Sequence, residues 1–172
     1  MASSYRRRVD FRCRGPSVTV PGVTFEAARN LVANACLALD EEDFCGFLDC
    51  CSGDFHYVIR VQSPELRREM TWLEHDFAGM QALLEGVPEH LRRRGRLLRH
   101  LGASVLVEAS VQRTVLDTSV LLLHTNLEGV TRTWAAGRYR DAVAAGPDGA
   151  RLQSRVVQLH TRDLGTGSHV PI

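Results

Sequence analysis

The run Thr114-Val115-Leu116-Asp117-Thr118-Ser119-Val120-Leu121-Leu122-Leu123-His124-Thr125-Asn126 decides the fold. It is rich in β-branched and leucine residues, and its first half alternates: Leu116, Val120 and Leu122 share one side, Arg113, Asp117 and Ser119 the other. Three similar runs surround it: Leu97–Glu108, Thr131–Ala144 and Arg151–Thr161. The gaps Asn126-Leu127-Glu128-Gly129 and Gly146-Pro147-Asp148-Gly149 carry residues that preset a turn or tolerate positive φ. Such short gaps join antiparallel neighbours, because a parallel return needs a crossover of about a dozen residues. The stretch therefore predicts an antiparallel meander with helices packed on one face. Leu121 and Leu123 also make its second face apolar, which calls for a further cover such as a partner subunit.

Upstream, the sequence predicts that cover. Thr24 is placed as an N-cap and Glu26 in a first turn. Phe25, Ala28, Leu31, Val32, Ala35, Cys36 and Leu39 then recur every three or four residues, the pattern of a helix with one buried face. Asp40-Glu41-Glu42-Asp43 ends it and caps a short helix running to about Cys51. Ser52-Gly53-Asp54 reads as a turn and Phe55–Val61 as a strand. The charged stretch Glu65 to His75 fits a helix or an extended edge. Asp76 caps a helix carrying Phe77, Met80, Leu83 and Leu84, which Gly86-Val87-Pro88 breaks before another turn or two at Glu89–Arg94. The plan is α+β: a strongly curved antiparallel sheet wrapped around N-terminal helices, forming a cone. Residues 1–22 read as a basic tail and 23–172 as one domain.

Composition excludes several classes of function. The chain has 172 residues, 44% hydrophobic and 24% charged, with a formal net charge of +1. That is an ordinary globular balance with no field to draw nucleic acid. The arginine run Arg92-Arg93-Arg94 lacks interleaved aromatics and fits a salt-bridged surface or partner contact better than a phosphate track. No apolar run is long enough to span a bilayer, and no signal-peptide core follows the basic start. Five cysteines, an odd number, point to reduced thiols in the cytoplasm.

No metal or nucleotide motif stands out. No cysteine has a histidine two or three residues on, so a Rieske arrangement is absent from the sequence. Helical spacing explains Cys45 and Cys50 better than a zinc pair does. Glu74-His75-Asp76 is the tightest metal-capable group; an iron site there would need a second histidine such as His90, and a helix cap explains Asp76 as well. Gly165-Thr166-Gly167 has no helix after it, so it is a loop and not a phosphate cradle.

Three groups of residues carry a family resemblance. Leu39-Asp40-Glu41 with Phe44 and Leu48, then Phe55-His56-Tyr57, is the first. Arg99-His100-Leu101 with Val105 is the second. Gly137-Arg138-Tyr139-Arg140-Asp141 followed by Arg155-Val156-Val157-Gln158-Leu159 is the third. In this order and spacing they resemble the small (beta) subunits of the Rieske non-haem iron ring-hydroxylating oxygenases, from about Thr24 onward. Met70–Asp76 and Arg162–Ile172 are more similar to subunits of methanesulfonate-monooxygenase-type enzymes than to those acting on benzoate or biphenyl. The arginine run before Arg99 departs from the aromatic dioxygenases and speaks against an arene substrate.

The resemblance implies an NTF2-like cone and a non-catalytic, structural role, with no cofactor in this chain. The large (alpha) subunit of such an oxygenase carries a Rieske [2Fe-2S] cluster and a mononuclear iron. The small subunit self-associates about a three-fold axis, usually within a mixed hexamer. Arg99, His100, Arg138, Arg140, Asp141 and Arg162 are then candidates for inter-subunit contacts, against the simpler alternative of pairing between adjacent strands. A second reading is a stand-alone NTF2-like enzyme of the SnoaL, ketosteroid-isomerase or dehydratase type, with Tyr57, His100, His124 and Tyr139 facing a pocket in the cone.

Overall fold

The computed structural model describes residues 22–89, 95–165 and 170–172. The basic tail with Cys13, the arginine run with His90, and Thr166–His169 lie outside the described residues. Helix α1 spans Phe25–Asp40, and the Thr24 side chain accepts from the Ala27 amide at 3.1 Å. Its apolar stripe is the buried face: Ala28, Val32, Ala35, Cys36 and Leu39. Helix α2 is Phe44–Asp49, capped by Asp43, which accepts from the Gly46 amide at 3.0 Å. A Cβ on residue 46 would lie 2.4 Å from the capping carboxylate and push it aside. Helix α3, Phe77–Gly86, repeats the device with Asp76 and Gly79 at 2.8 Å, and a 3₁₀ turn at Val87–Glu89 follows.

The strands are β1 (Cys51–Ser63), β2 (Arg68–Asp76), β3 (Arg96–Ala109), β4 (Arg113–Thr125), β5 (Thr131–Gly146) and β6 (Gly149–Leu159). They form one sheet in the order β2-β1-β6-β5-β4-β3. The meander β3 to β6 is antiparallel throughout, as its short turns predict. Gly129 at φ 80° and Gly149 at φ 129° supply the left-handed conformations in its last two turns. One pairing is parallel: β1 runs alongside β6, so the sheet is mixed. The chain gains this geometry because the segment from α3 to Gly95 carries it from one sheet edge to the other, a crossover long enough to return in parallel.

One further sequence reading changes and another, left open between helix and extended edge, is decided. Ser52-Gly53-Asp54 is not a turn but part of β1, where the register to β6 shifts between Cys51 and His56. Side-chain bonds hold this irregularity: Ser52 donates to Asp54 at 2.6 Å and to the Leu152 carbonyl at 3.1 Å, and Gln153 donates to Asp54 at 3.0 Å. Polar residues that close a turn elsewhere here pin a bulge. The charged stretch after Glu65 is resolved as the edge strand β2, not a helix. Charge on an edge strand discourages pairing with another chain.

The core lies between α1 and the inner sheet face. Phe47, Phe55, Tyr57, Leu116, Leu122, Tyr139, Leu152, Val157 and Leu159 are fully or almost fully buried there. The alternation on β4 holds: Leu116, Val120 and Leu122 are buried, while Arg113 and Ser119 are exposed.

Candidate functional site

The inner face carries charge as well as hydrocarbon, and register brings the charges together. Along β5, Tyr139, Asp141 and Val143 share a face; along β6, Arg155, Val157 and Leu159 share one. Asp141 pairs directly across from Arg155. Their side chains form a two-pronged ion pair, Nε to Oδ1 at 2.7 Å and Nη2 to Oδ2 at 3.1 Å, with both residues fully buried. The Arg155 guanidinium also lies 4.3 Å from the centre of the Tyr139 ring and 3.8 Å from the Cys36 sulfur on α1. Burial works against the arginine's charge, but the Asp141 carboxylate outweighs it and holds Arg155 protonated well above its usual range.

A second cluster sits beside the first. Arg99, only 5% exposed, pairs with Asp40 at the end of α1, and its backbone amide also donates to that carboxylate at 3.1 Å. Its other guanidinium nitrogen donates to the Pro171 carbonyl. The buried Tyr57 hydroxyl donates to the Ile172 carbonyl at 3.0 Å and accepts from the Ile172 amide at 2.8 Å. Val170 and Ile172 belong to the core. Nearby, the Trp134 indole donates to the Leu164 carbonyl at 3.0 Å. Burial pushes both the Tyr57 and the Tyr139 hydroxyls far above the usual phenol range, with nearby arginines opposing the shift. Neither is placed to act as a base near neutrality.

The candidate residues therefore fall into three places. Tyr57, Tyr139, Arg99 and Asp141 are inside, and Arg99 and Asp141 make their contacts within this chain. His124 lines a cleft of about 200 Å³ at the rim, together with Leu39, Asp40, Arg96, Leu97, Trp134 and Val170. His100, Arg138, Arg140 and Arg162 are exposed. Arg140 pairs with Asp117 across the strands at 2.7 Å, and Arg162 pairs with Glu65 at 2.7 Å. Hydrogen bonds from Arg162 hold the Glu65 carboxyl down at about 2. Arg155 is the interior residue that the sequence reading did not single out. Its signal was there: an arginine two residues before Val157 and four before Leu159, on the face those apolar residues share.

The outward face of β3 to β5 is unusual in the other sense. Leu98 opposes Leu123, and His100, Leu121 and Ala136 form one row across three strands. Leu98 is 48% and Leu121 41% exposed. The rows beyond place Ser119 with Arg138 and Asp117 with Arg140, and Val105 on β3 stands exposed opposite Asp117. Among the described residues, no group of three or more His, Cys, Asp or Glu side chains is placed to hold a metal ion. Among the same residues, no helix is long and apolar enough to cross a membrane.

An α+β sheet of this order, folded over an N-terminal helix with a filled interior, defines the class: the chain belongs to the SnoaL-like domain family, which matches over residues 24–156. The 2-aminobenzenesulfonate 2,3-dioxygenase subunit beta of Alcaligenes sp. is 38% identical over 87% of this chain and 99% of its own length. The methanesulfonate monooxygenase hydroxylase subunit beta of Methylosulfonomonas methylovora is 28% identical, with 86% of each chain covered. Among solved structures, a chain assigned as the beta subunit of an aromatic-ring-hydroxylating dioxygenase from Novosphingobium aromaticivorans superposes with a TM-score of 0.74 at 18% identity. It covers 86% of this chain and 95% of that one, a likeness of fold. Within the family, this chain is of the oxygenase beta-subunit type.

Proposed function

We propose that this chain is the structural beta subunit of an oxygenase that hydroxylates an organosulfonate, and that it builds a mixed hexamer about a three-fold axis. The large subunit of that assembly would carry the Rieske [2Fe-2S] cluster and the mononuclear iron. Both relatives named above act on sulfonates by their names, one aromatic and one not. For that reason the arginine run before Arg99 carries no weight against an arene.

The observation that carries the structural role is the apolar outward face of β3 and β4. Leu98 and Leu121 stand where a solvent-facing sheet would be polar, next to His100 and Arg138. An obligate interface buries about 2,000 Å² or more and has an apolar centre with a polar rim. His100, Arg138 and Arg140 border the leucines and supply that rim; Arg162 lies apart, next to Glu65. In this reading Arg99 and Asp141 support the interface from inside, through Asp40 and Arg155.

The test is coexpression with the large subunit followed by size-exclusion chromatography with light scattering. The wild-type pair should run as a mixed hexamer. Leu121→Glu should break the assembly while leaving the circular dichroism of the isolated chain unchanged. A Leu121→Glu chain that still assembles fully, or a wild-type chain that never joins a large subunit, overturns the proposal.

A further inference from the structure

The two edges of the sheet are built differently. β2, at one edge, carries Arg68, Glu69, Glu74 and Asp76. β3, at the other, has no charged residue between His100 and Glu108. It presents Val105, Leu106 and Val107 in succession, 57%, 49% and 49% exposed, with Val111 exposed in the turn beyond. Val105 stands opposite Asp117 on the outward face and Leu106 opposite Leu116 on the inner one, so this end of β3 is apolar and open on both sides. Val107 has no partner on β4, because the register shifts between Leu106 and Glu108. Among the described residues no strand pairs with the outer side of β3. An uncharged apolar edge of this kind is a template for another strand, which the charges of β2 deny at the opposite edge.

The residues of this edge match themselves when read in reverse. Outward from Leu106 come Val105 and Val107, then Ser104 and Glu108, then Ala103 and Ala109. A two-fold contact requires such a match, because residue i of one copy meets j of the other while j meets i. We infer that β3 pairs with β3 of a second copy of this chain, antiparallel about a two-fold axis at Leu106. Val105 then meets Val107 of the other copy, the two Leu106 side chains meet at the axis, and Leu101 lies opposite Val111. Charge agrees with this register. Glu108 is the one charged residue from Leu101 to Val111; it falls opposite Ser104 and is balanced within its own chain by Arg113 at 3.1 Å. No like charges oppose each other across the contact. One strand per copy buries less than the roughly 800 Å² per partner of a standard interface. The register shifts at Leu101–Ser104 and Leu106–Glu108 also keep the straight part of β3 short. The dimer is therefore a weak one that dissociates on dilution. It uses the edge of the sheet and does not depend on the assembly proposed above.

The experiment is sedimentation velocity on the full chain, without a large subunit, over a range of concentrations. Wild type should pass from monomer to dimer as concentration rises. Leu106→Lys and Leu106→Glu, each with unchanged circular dichroism, should dimerise at least about tenfold more weakly, since each sets two like charges against one another at the axis. Mixed one to one, the two variants should recover the dimer, which only a contact between the two copies of residue 106 predicts. Leu121→Glu, on the outward face, should leave dimerisation unchanged. A wild type that stays monomeric up to about 1 mM overturns the proposal. So does a Leu106 variant that dimerises as wild type does, a mixture that stays monomeric, or a dimer lost in Leu121→Glu. Hydrogen exchange on wild type decides without any variant. The amides of Val105–Val107 should exchange more slowly as concentration rises. Protection that does not change with concentration would mean that the chain covers its own edge. Protection that appears only when the large subunit is added would make that subunit the occupant. Either result overturns the proposal.

Discussion

Removing the Asp141 carboxylate should cost more than the whole Arg155–Asp141 pair is worth. In Asp141→Ala the Arg155 guanidinium loses its two carboxylate bonds, at 2.7 and 3.1 Å, and keeps only the Tyr139 ring and the Cys36 thiol. Arg155 has no exposure at all, so water cannot replace what is lost without opening the sheet. Breaking a buried pair in this way costs about 3–5 kcal/mol, against a total stability of about 5–15 kcal/mol for a domain. For a chain of 172 residues that lowers the melting temperature by roughly 6–20 °C. Replacing both partners, as Asp141→Leu with Arg155→Met, removes the stranded charge and should return to within about 2 kcal/mol of wild type. Urea unfolding of the isolated chain, followed by circular dichroism for wild type, Asp141→Ala and the double variant, measures both numbers. A single variant within 1 kcal/mol of wild type, or a double variant as unstable as the single, would refute the reasoning. Once assembled with its large subunit, the double variant should also turn over at the wild-type rate. A fall in kcat with the assembly intact would mean that the pair serves chemistry and not packing.

Thiol chemistry gives a second check. Cys45 is exposed, whereas Cys36 and Cys51 are buried and burial pushes the Cys51 thiol up to about 12. An alkylating reagent at pH 8 should therefore label Cys45 well before Cys36 and Cys51, as peptide mapping would record; equal rates would contradict the burial. The same shifts predict a loss of stability in alkali. Below about pH 9, the ordinary thiol value, folded and unfolded chains both hold the Cys51 proton. Between about pH 9 and about 12 only the folded chain holds it. The unfolded state then binds fewer protons, and stability falls as pH rises, by up to about 1.4 kcal/mol per pH unit for each such group. Urea midpoints at pH 8 and above should show this fall, and Cys51→Ala should make it shallower; a pH-independent midpoint would sink the linkage.

The meander could be read from the sequence because its information is local. Turn residues at Asn126–Gly129 and Gly146–Gly149, and alternation around Leu116 and Leu122, act within a few residues of themselves. The caps Thr24, Asp43 and Asp76 were legible for the same reason. The parallel β1–β6 pairing was not, because it depends on where a connection of nearly twenty residues comes down. Nor was the β1 bulge: Ser52 and Asp54 look the same in sequence whether they close a turn or pin a shifted register to Leu152 and Gln153. The interior charges stood between these cases. Period two places Tyr139 with Asp141, and Arg155 with Val157, but only the register between β5 and β6 makes Asp141 and Arg155 partners.

That register bears on why a fold able to enclose a pocket serves here as a subunit. An acid–base centre needs a group free to exchange a proton near working pH. In this interior Asp141 is committed to Arg155, Asp40 to Arg99, and Tyr57 to Ile172, while burial drives the Tyr139 hydroxyl and the Cys36 thiol upward. These groups spend their bonding on one another and on the segment Val170–Ile172, which stiffens the sheet from within. The outward face is the reverse: among the described residues, Leu98 and Leu121 are left largely uncovered. A sheet held rigid on one side and left apolar on the other is suited to hold a second protein in place, and the leucines, more than the buried ion pairs, are where that function is most easily broken.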